Sequence, residues 1–336
     1  MRNTCLNMVH ELAKRDPRVV FIGSDLSPGL LAHMRKDYPD RWFMEGVTEA
    51  NIIGMAAGMA MDGYIPYVNT IATFITRRCY EQVAVDLCLH DLPVRLIGNG
   101  GGLVYAPLGP THLAIEDIAI MRALPNMAVV AVCDAEEMMR FMNSSLDWPS
   151  PIYIRLAKGG DSVVSKPENG FTFGKAIPMH RAARGVQPIV LMATGVMTTN
   201  CLAAAELLER DGYDTTVVHF HTVKPLDEDA VVEHASRARL VVTVEEGVSI
   251  GGFGSAVTDV LVNELGQSLP RIVRLALPDA FPHKYGVQND LLEIYGLMPH
   301  QIAASVTKAV TKEEDGGLKM INTLADQWPE RTLRIT

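Results

Sequence analysis

Positive charge is scarce in this sequence: 30 Lys and Arg stand against 39 Asp and Glu, a formal net charge of −9 over 336 residues. A chain so short of cations lacks the broad basic face that neutralises phosphates, which argues against nucleic acid as a partner while leaving room for local basic pockets. Cysteine is equally sparse. Cys5, Cys79, Cys88, Cys133 and Cys201 never fall at CxxC spacing, so neither a disulfide framework nor a zinc site is indicated, and reduced structural thiols in a cytoplasm are expected. Long apolar runs are also missing. The opening MRNTCLNMVHELAKRDPRVV mixes charge with apolar residues at helical spacing and has no signal-peptide core, so it reads as a first helix. The uncharged run from Ala50 to Met61 is too short for the roughly 20 residues that span a bilayer. No membrane partner and no metal held by this chain are expected.

What is present is the composition of an ordinary globular protein, 48% hydrophobic and 21% charged, long enough for about two domains. Short β-branched runs (RVVFIG, YIPYVN, LPVRLIG, MAVVAV, SPIYIR) alternate with helical segments (EANIIGMAAGMAM, RRCYEQVAVDLCL, AIEDIAIMRAL, AEEMMRFMNSSL). Apolar strands alternating with helices predict a parallel sheet covered on both faces. The expected fold class is α/β, with two three-layer α/β domains: a first over 1–160, a Gly/Ser/Pro-rich linker over 161–186, a second over 187–312, and a polar tail over 313–336.

One stretch poses a chemical question. In FMEGVTEANIIGMAAGMAMDG, residues 43–63, Glu49 heads a run with no other charge until Asp62. Thr48 is placed to cap a helix there, and a carboxylate in the first turn complements the helix dipole by ~0.3–1 kcal/mol. The helix behind it is apolar all round, with Gly54, Ala57 and Gly58 as a small-residue face, which predicts burial on every side. An acid at the mouth of such a helix becomes useful when a ligand offers it a nitrogen to hydrogen-bond.

The order of motifs supplies that ligand. GSDL, EGVTEANIIGMAAGMAMDGYIPYV, TFITRRCYEQ, GPTHLAIEDIAIMRALPN, VKPLD and VTVEEGVSIGGFGSAV follow one another from about residue 1 to 312. This series resembles the C-terminal half of the transketolase family, thiamine-diphosphate enzymes that include 1-deoxyxylulose-5-phosphate synthase. The resemblance implies a pyrimidine-binding domain of the thiamine-diphosphate-binding fold followed by a transketolase C-terminal domain. It assigns Glu49 to a ring nitrogen of the cofactor's aminopyrimidine, favouring the tautomer that takes the proton from the thiazolium carbon. Phe74 matches the aromatic that packs on that ring. Tyr80 matches a pocket-lining Tyr, with core packing as the alternative, and Asp25 matches an acid near the cofactor, with a turn-forming role as the alternative.

His112 follows the glycine-rich GNGGGLVYAPLG at the carboxyl end of a strand, where open α/β sheets hold ligands. Its motif match implies contact with a substrate oxygen and a part in proton transfer. Arg155 matches an arginine that holds a substrate phosphate, a task suited to its bidentate fork. Arg77 sits where the deoxyxylulose-phosphate synthases have an arginine and is the expected substrate contact, although Arg78 is the other candidate. Three features are set aside: GGFGSAV as close helix packing, His219 and His221 of HFH as lacking nearby acids or cysteines, and Glu245–Glu246 as a strand end.

The departures from the family pattern carry information too. Leu108 stands where transketolases have an Asp that contacts a sugar hydroxyl, and Gly100 falls near the place of a further histidine, so ordinary pentose-phosphate substrates are in doubt. Nowhere does a GDG precede an Asn by some 25–30 residues, the family's Mg²⁺ and diphosphate site. The resemblance therefore implies a separate N-terminal subunit carrying that domain and the Mg²⁺, in an α2β2 assembly with two sites between chains. Moving a two-carbon ketol unit from a ketose, as a sugar phosphate, to an aldehyde is the expected activity. The alternatives are a 2-oxo-acid-using relative (deoxyxylulose-phosphate-synthase-like, or a 2-oxo-acid dehydrogenase β subunit) and a non-catalytic partner subunit.

Overall fold

The computed structural model describes residues 1–314 other than Asp25, Ser27, Pro28, Leu30 and Lys158. Strands β1 (Val19–Gly23), β2 (Trp42–Met44), β3 (Ile65–Ile71), β4 (Arg95–Asn99), β5 (Ala128–Val130) and β6 (Ile152–Leu156) run parallel in the spatial order β5-β6-β4-β3-β1-β2. The second sheet contains β7 (Ile177–His180), β8 (Ile189–Ala193), β9 (Thr215–His219), β11 (Leu240–Val248) and β12 (Arg271–Leu277), in the order β12-β11-β8-β9-β7. Between these sheets in sequence lies β10 (Thr222–Lys224), which pairs antiparallel with β5 and so joins the first sheet.

Successive residues on a strand point to opposite faces, so an unbroken apolar strand must be covered twice. Phe21, Tyr67, Ile97 and Ile154 face the helices Arg2–Arg15 and Ala135–Ser145 through Leu6, Val9, Leu12, Phe141 and Met142. Ile22, Val68, Leu96 and Tyr153 face the other way, onto Ile52, Ile53 and Ala56 of the helix Glu49–Met61. That second layer is continuous with Val190, Val218, Phe253 and Val257 of the C-terminal sheet and its helices, so one apolar body joins both domains. The far face of the C-terminal sheet is covered by the helices Met197–Arg210 and Pro299–Glu314. Among the described residues no helix is long and apolar enough to cross a membrane.

Two expectations are corrected. The helix Glu49–Met61 is not buried on every side: Asn51, Gly54, Gly58 and Met61 are exposed, and a Cβ built on Gly54 or Gly58 would meet nothing within 4 Å. Absence of charge along a helix shows only that no face is strongly hydrated, and here one stripe has no cover among the described residues. The segment expected as linker also contains structure, for Ile177–His180 forms the edge strand against β9. Pro178 is tolerated there because an edge strand has a free side on which a missing N–H costs nothing.

Candidate active site

The parallel strands deliver their carboxyl ends to one side of the first sheet, and Glu49, Phe74, His112 and Arg155 follow or end those strands. The helix after β2 begins at Glu49, the short helix Ala72–Thr76 after β3 carries Phe74, the glycine-rich loop after β4 leads to His112, and β6 carries Arg155 near its end. An open α/β sheet holds ligands at this rim.

Glu49 is 2% exposed and accepts a 2.7 Å hydrogen bond from Nη1 of Arg78. The guanidinium carbon of Arg78 lies 4.1 Å from the ring centroid of Phe74, and Phe74 in turn meets the imidazole of His112 edge-on at 5.3 Å. Glu49, Phe74 and His112 thus lie in one chain of contacts, with Arg78 linking Glu49 to Phe74. Thr48 occupies the cap position, but its hydroxyl donates to the Glu45 carbonyl at 3.1 Å and no side chain caps the helix. Nδ1 of His112 is paired with the Thr111 hydroxyl at 2.8 Å, and Nε2 has no protein partner among the described residues.

Arg77 is turned elsewhere. Its fork closes on the Glu116 carboxylate, and Nη2 also donates to the Leu113 carbonyl at 2.7 Å. Of the adjacent pair, Arg78 faces Glu49. Both arginines lie beyond the end of the helix Ala72–Thr76, and there one anchors the His112 loop while the other covers the acid. Tyr80 donates to the Ile120 carbonyl at 2.9 Å and packs on the apolar body shared by the domains, as its core-packing alternative requires. Asp25 lies outside the described residues.

Arg155, expected at a substrate phosphate, is held here by protein acceptors. Nε donates to Asp117 at 2.8 Å and Nη2 to the carbonyls of Glu246 at 2.7 Å and Ala114 at 3.2 Å. Burial alone would lower its basicity, but Asp117 and Glu246 overcome that and raise it, so the guanidinium stays charged. The fork is already engaged by protein acceptors, and a phosphate there would compete with Asp117.

Sequence reasoning missed Asp117, offered Arg78 only as the alternative to Arg77, and set Glu246 aside as a strand end. Glu246 is fully withdrawn from water, which pushes its carboxyl up. Its Oε1 accepts from the Leu103 amide at 2.9 Å and from Gln288 at 2.7 Å, while Oε2 has no partner among the described residues. Gly102 has φ +66°, and a Cβ on it would lie 2.5 Å from the Glu246 carboxyl carbon, so glycine is required where the loop crosses this acid. Glu245 accepts from the amides of Phe253 and Gly254 at 2.9 and 2.8 Å, capping the helix that GGFGSAV opens. Neither acid ends the strand; both lie within it. From the same C-terminal domain, Phe281 sits 5.7 Å from the Arg77 guanidinium.

The histidines of HFH do have an acid and a thiol nearby. Nε2 of His219 meets Glu137 at 2.9 Å, Nδ1 meets Thr198 at 2.7 Å, and Cys133, Glu137 and His219 offer ligand atoms within 4.8 Å of one another. This corrects the premise on which a metal was set aside. Both ring nitrogens are nonetheless engaged by protein, and burial pushes the Cys133 thiol well up.

The seat at Glu49 takes a planar group with an N–H on its edge and a face for Phe74. The Arg78 guanidinium has those attributes, and so does an aminopyrimidine ring.

Comparison with known proteins agrees with this geometry. The model of the transketolase pyrimidine-binding domain matches residues 1–160, and that of the transketolase C-terminal domain matches residues 181–302. The chain is 32% identical over 315 residues to the 6-deoxy-6-sulfo-D-fructose transketolase subunit SqwH of Clostridium sp. (strain MSTE9), covering 93% of this chain and 95% of that relative. It is 35% identical to the 1-deoxy-D-xylulose-5-phosphate synthase of Caldanaerobacter subterraneus subsp. tengcongensis, over 88% of this chain and 46% of the synthase, and so spans about half of that protein. Among solved structures, a split gene transketolase described as an inactive beta4 tetramer matches with a TM-score of 0.84 at 34% identity, covering 92% of this chain and 98% of that one. With both transketolase domains matched along its length and a relative 32% identical over 93% of it, the chain belongs to the transketolase family.

Proposed function

We propose that this chain is the C-terminal subunit of a split, thiamine-diphosphate-dependent transketolase-like transferase that moves a two-carbon ketol unit from a ketose to an aldehyde. The observation that carries the proposal is the buried Glu49 carboxylate, paired with a planar N–H donor that lies on Phe74. Bound thiamine diphosphate would supply the nucleophilic carbon for breaking and re-forming the carbon–carbon bond. Glu49 accepts from the ring edge and holds the pyrimidine in the tautomer able to move a proton. Phe74 provides the platform beneath it. His112, with Nε2 open, donates to or accepts from a substrate oxygen near neutral pH. A phosphate on the substrate would have to compete with Asp117 for Arg155.

The diphosphate and Mg²⁺ fall to a partner subunit, because this sequence has no GDG with a downstream Asn. The subunit designation of the Clostridium relative and the split gene of the solved relative support such a division, and an α2β2 assembly would complete two sites. Five free, buried cysteines fit a cytoplasmic enzyme. A second reading, a synthase drawing its two-carbon unit from a 2-oxo acid, is favoured by the 35% identity to deoxyxylulose-phosphate synthase.

The test is co-expression with a partner that carries the GDG…Asn motif, followed by calorimetric titration with thiamine diphosphate and donor-consumption assays. Saturable cofactor binding with turnover of ketose phosphates supports the proposal. Turnover of pyruvate in their place establishes the second reading, and a complex that binds no thiamine diphosphate overturns both.

A further inference from the structure

Arg78 fills the place that the proposed function gives to the cofactor's pyrimidine. One planar cation makes both contacts at once: an edge hydrogen bond of 2.7 Å to Oε2 of Glu49 and a face 4.1 Å from the centroid of Phe74. An aminopyrimidine presents the same pair of attributes, N–H donors on its edge and a flat face. A heterocycle laid on the same face of Phe74 and bonded to Oε2 of Glu49 would have to displace the guanidinium.

The two adjacent arginines divide the labour. Arg77 is clamped by Glu116 and the Leu113 carbonyl, which ties the backbone to the His112 loop. The side chain of Arg78 is 44% exposed, and its only hydrogen bond among the described residues is to Glu49, so it can turn out to solvent while its neighbour stays fixed. It also sits between the helices Ala72–Thr76 and Tyr80–Gln82 rather than inside either.

We propose that Arg78 is a stand-in for the aminopyrimidine, a positioning residue that keeps Glu49 and Phe74 in working arrangement in the cofactor-free chain and must swing out before the cofactor seats. This rests on the proposed function. Its consequence is a tax on binding, because the apparent dissociation constant rises as the fraction of chains with Arg78 withdrawn falls.

The test measures thiamine diphosphate binding to the assembled complex, by calorimetry and by stopped-flow association, for the unaltered protein and for Arg78→Ala, Arg78→Gln and Arg78→Lys. Arg78 is half in solvent, so these variants fold, and circular dichroism with size-exclusion chromatography checks that they do. Arg78→Ala and Arg78→Gln should bind about 3- to 10-fold tighter, with faster association. Arg78→Lys keeps the charge but has no plane to lay on Phe74, so it should fall between them and the unaltered protein. Affinity that is unchanged or weaker in Arg78→Ala and Arg78→Gln overturns this inference alone. No binding by the unaltered complex or any variant overturns the proposed function and this inference with it.

Discussion

Arg155 and Asp117 form a 2.8 Å ion pair in which both side chains are almost completely withdrawn from water, at 7% and 1% exposure. The same carboxylate oxygen accepts from the Tyr153 hydroxyl at 2.8 Å. The pair ties the helix Asp117–Ala123 to β6 and, through the Glu246 carbonyl, to the C-terminal domain. Removing one member strands the other in a medium that cannot solvate it. Asp117→Ala should therefore lower stability by about 3–5 kcal/mol in urea denaturation. An unchanged midpoint would show that the network relaxes without penalty.

Glu49→Gln should leave the fold and the assembly intact, since the charged partner lost among the described residues is the half-exposed Arg78. Exchange of the thiazolium C2 proton of bound thiamine diphosphate into D₂O should slow by about 100-fold or more. Exchange at the original rate, followed by NMR, would remove Glu49 from the proposed chemistry.

His112→Ala deletes an imidazole whose Nε2 has no partner among the described residues and whose ring meets Phe74 edge-on. Turnover should fall by about 100-fold while cofactor affinity changes little. A severe loss of cofactor binding with turnover preserved would contradict this placement.

His221 makes stability depend on acidity. Burial against Phe171, with Nε2 unpartnered among the described residues, lowers its pKa from 6.5 to about 4, although Glu137 and Asp227 act in the opposite direction and His219 and Arg140 reinforce the fall. As pH drops from 6.5 towards 4 the unfolded chain takes up a proton that the folded chain refuses, so stability declines across that window by up to about 3 kcal/mol. Glu137, held below the usual carboxylate range because His219 and His221 overcome the effect of its burial, adds a further loss at more acid pH as the unfolded chain protonates first. Denaturation midpoints of His221→Gln should be flatter than those of the unaltered protein between pH 6.5 and 4. Parallel profiles would refute the assignment.

The sequence reveals most clearly what depends on local pattern. Alternating apolar runs and helices specify both α/β sheets, and an isolated acid at the head of an uncharged helix specifies Glu49. What it hides depends on residues distant in the chain. Arg155 reads as a free fork until Asp117, 38 residues away, closes on it. His219 reads as lacking an acid until the fold brings Glu137 from 82 residues away and a different domain. Arg77 and Arg78 are adjacent, and the choice between them depends on a helix phase that the break after Thr76 disguises. The open stripe at Asn51, Gly54, Gly58 and Met61 is invisible for another reason: lack of charge looks the same on a covered helix as on a bare one.

The crossing of β10 into the first sheet means that the halves of this molecule are not separable modules. Thr222 and Lys224 complete the hydrogen-bonding rim of β5 at Val130 and Val129. A fragment ending after residue 160 would leave that rim bare, a template for pairing with neighbouring chains. Anyone dissecting the protein by limited proteolysis or recombinant truncation should thus expect precipitation of the amino-terminal piece.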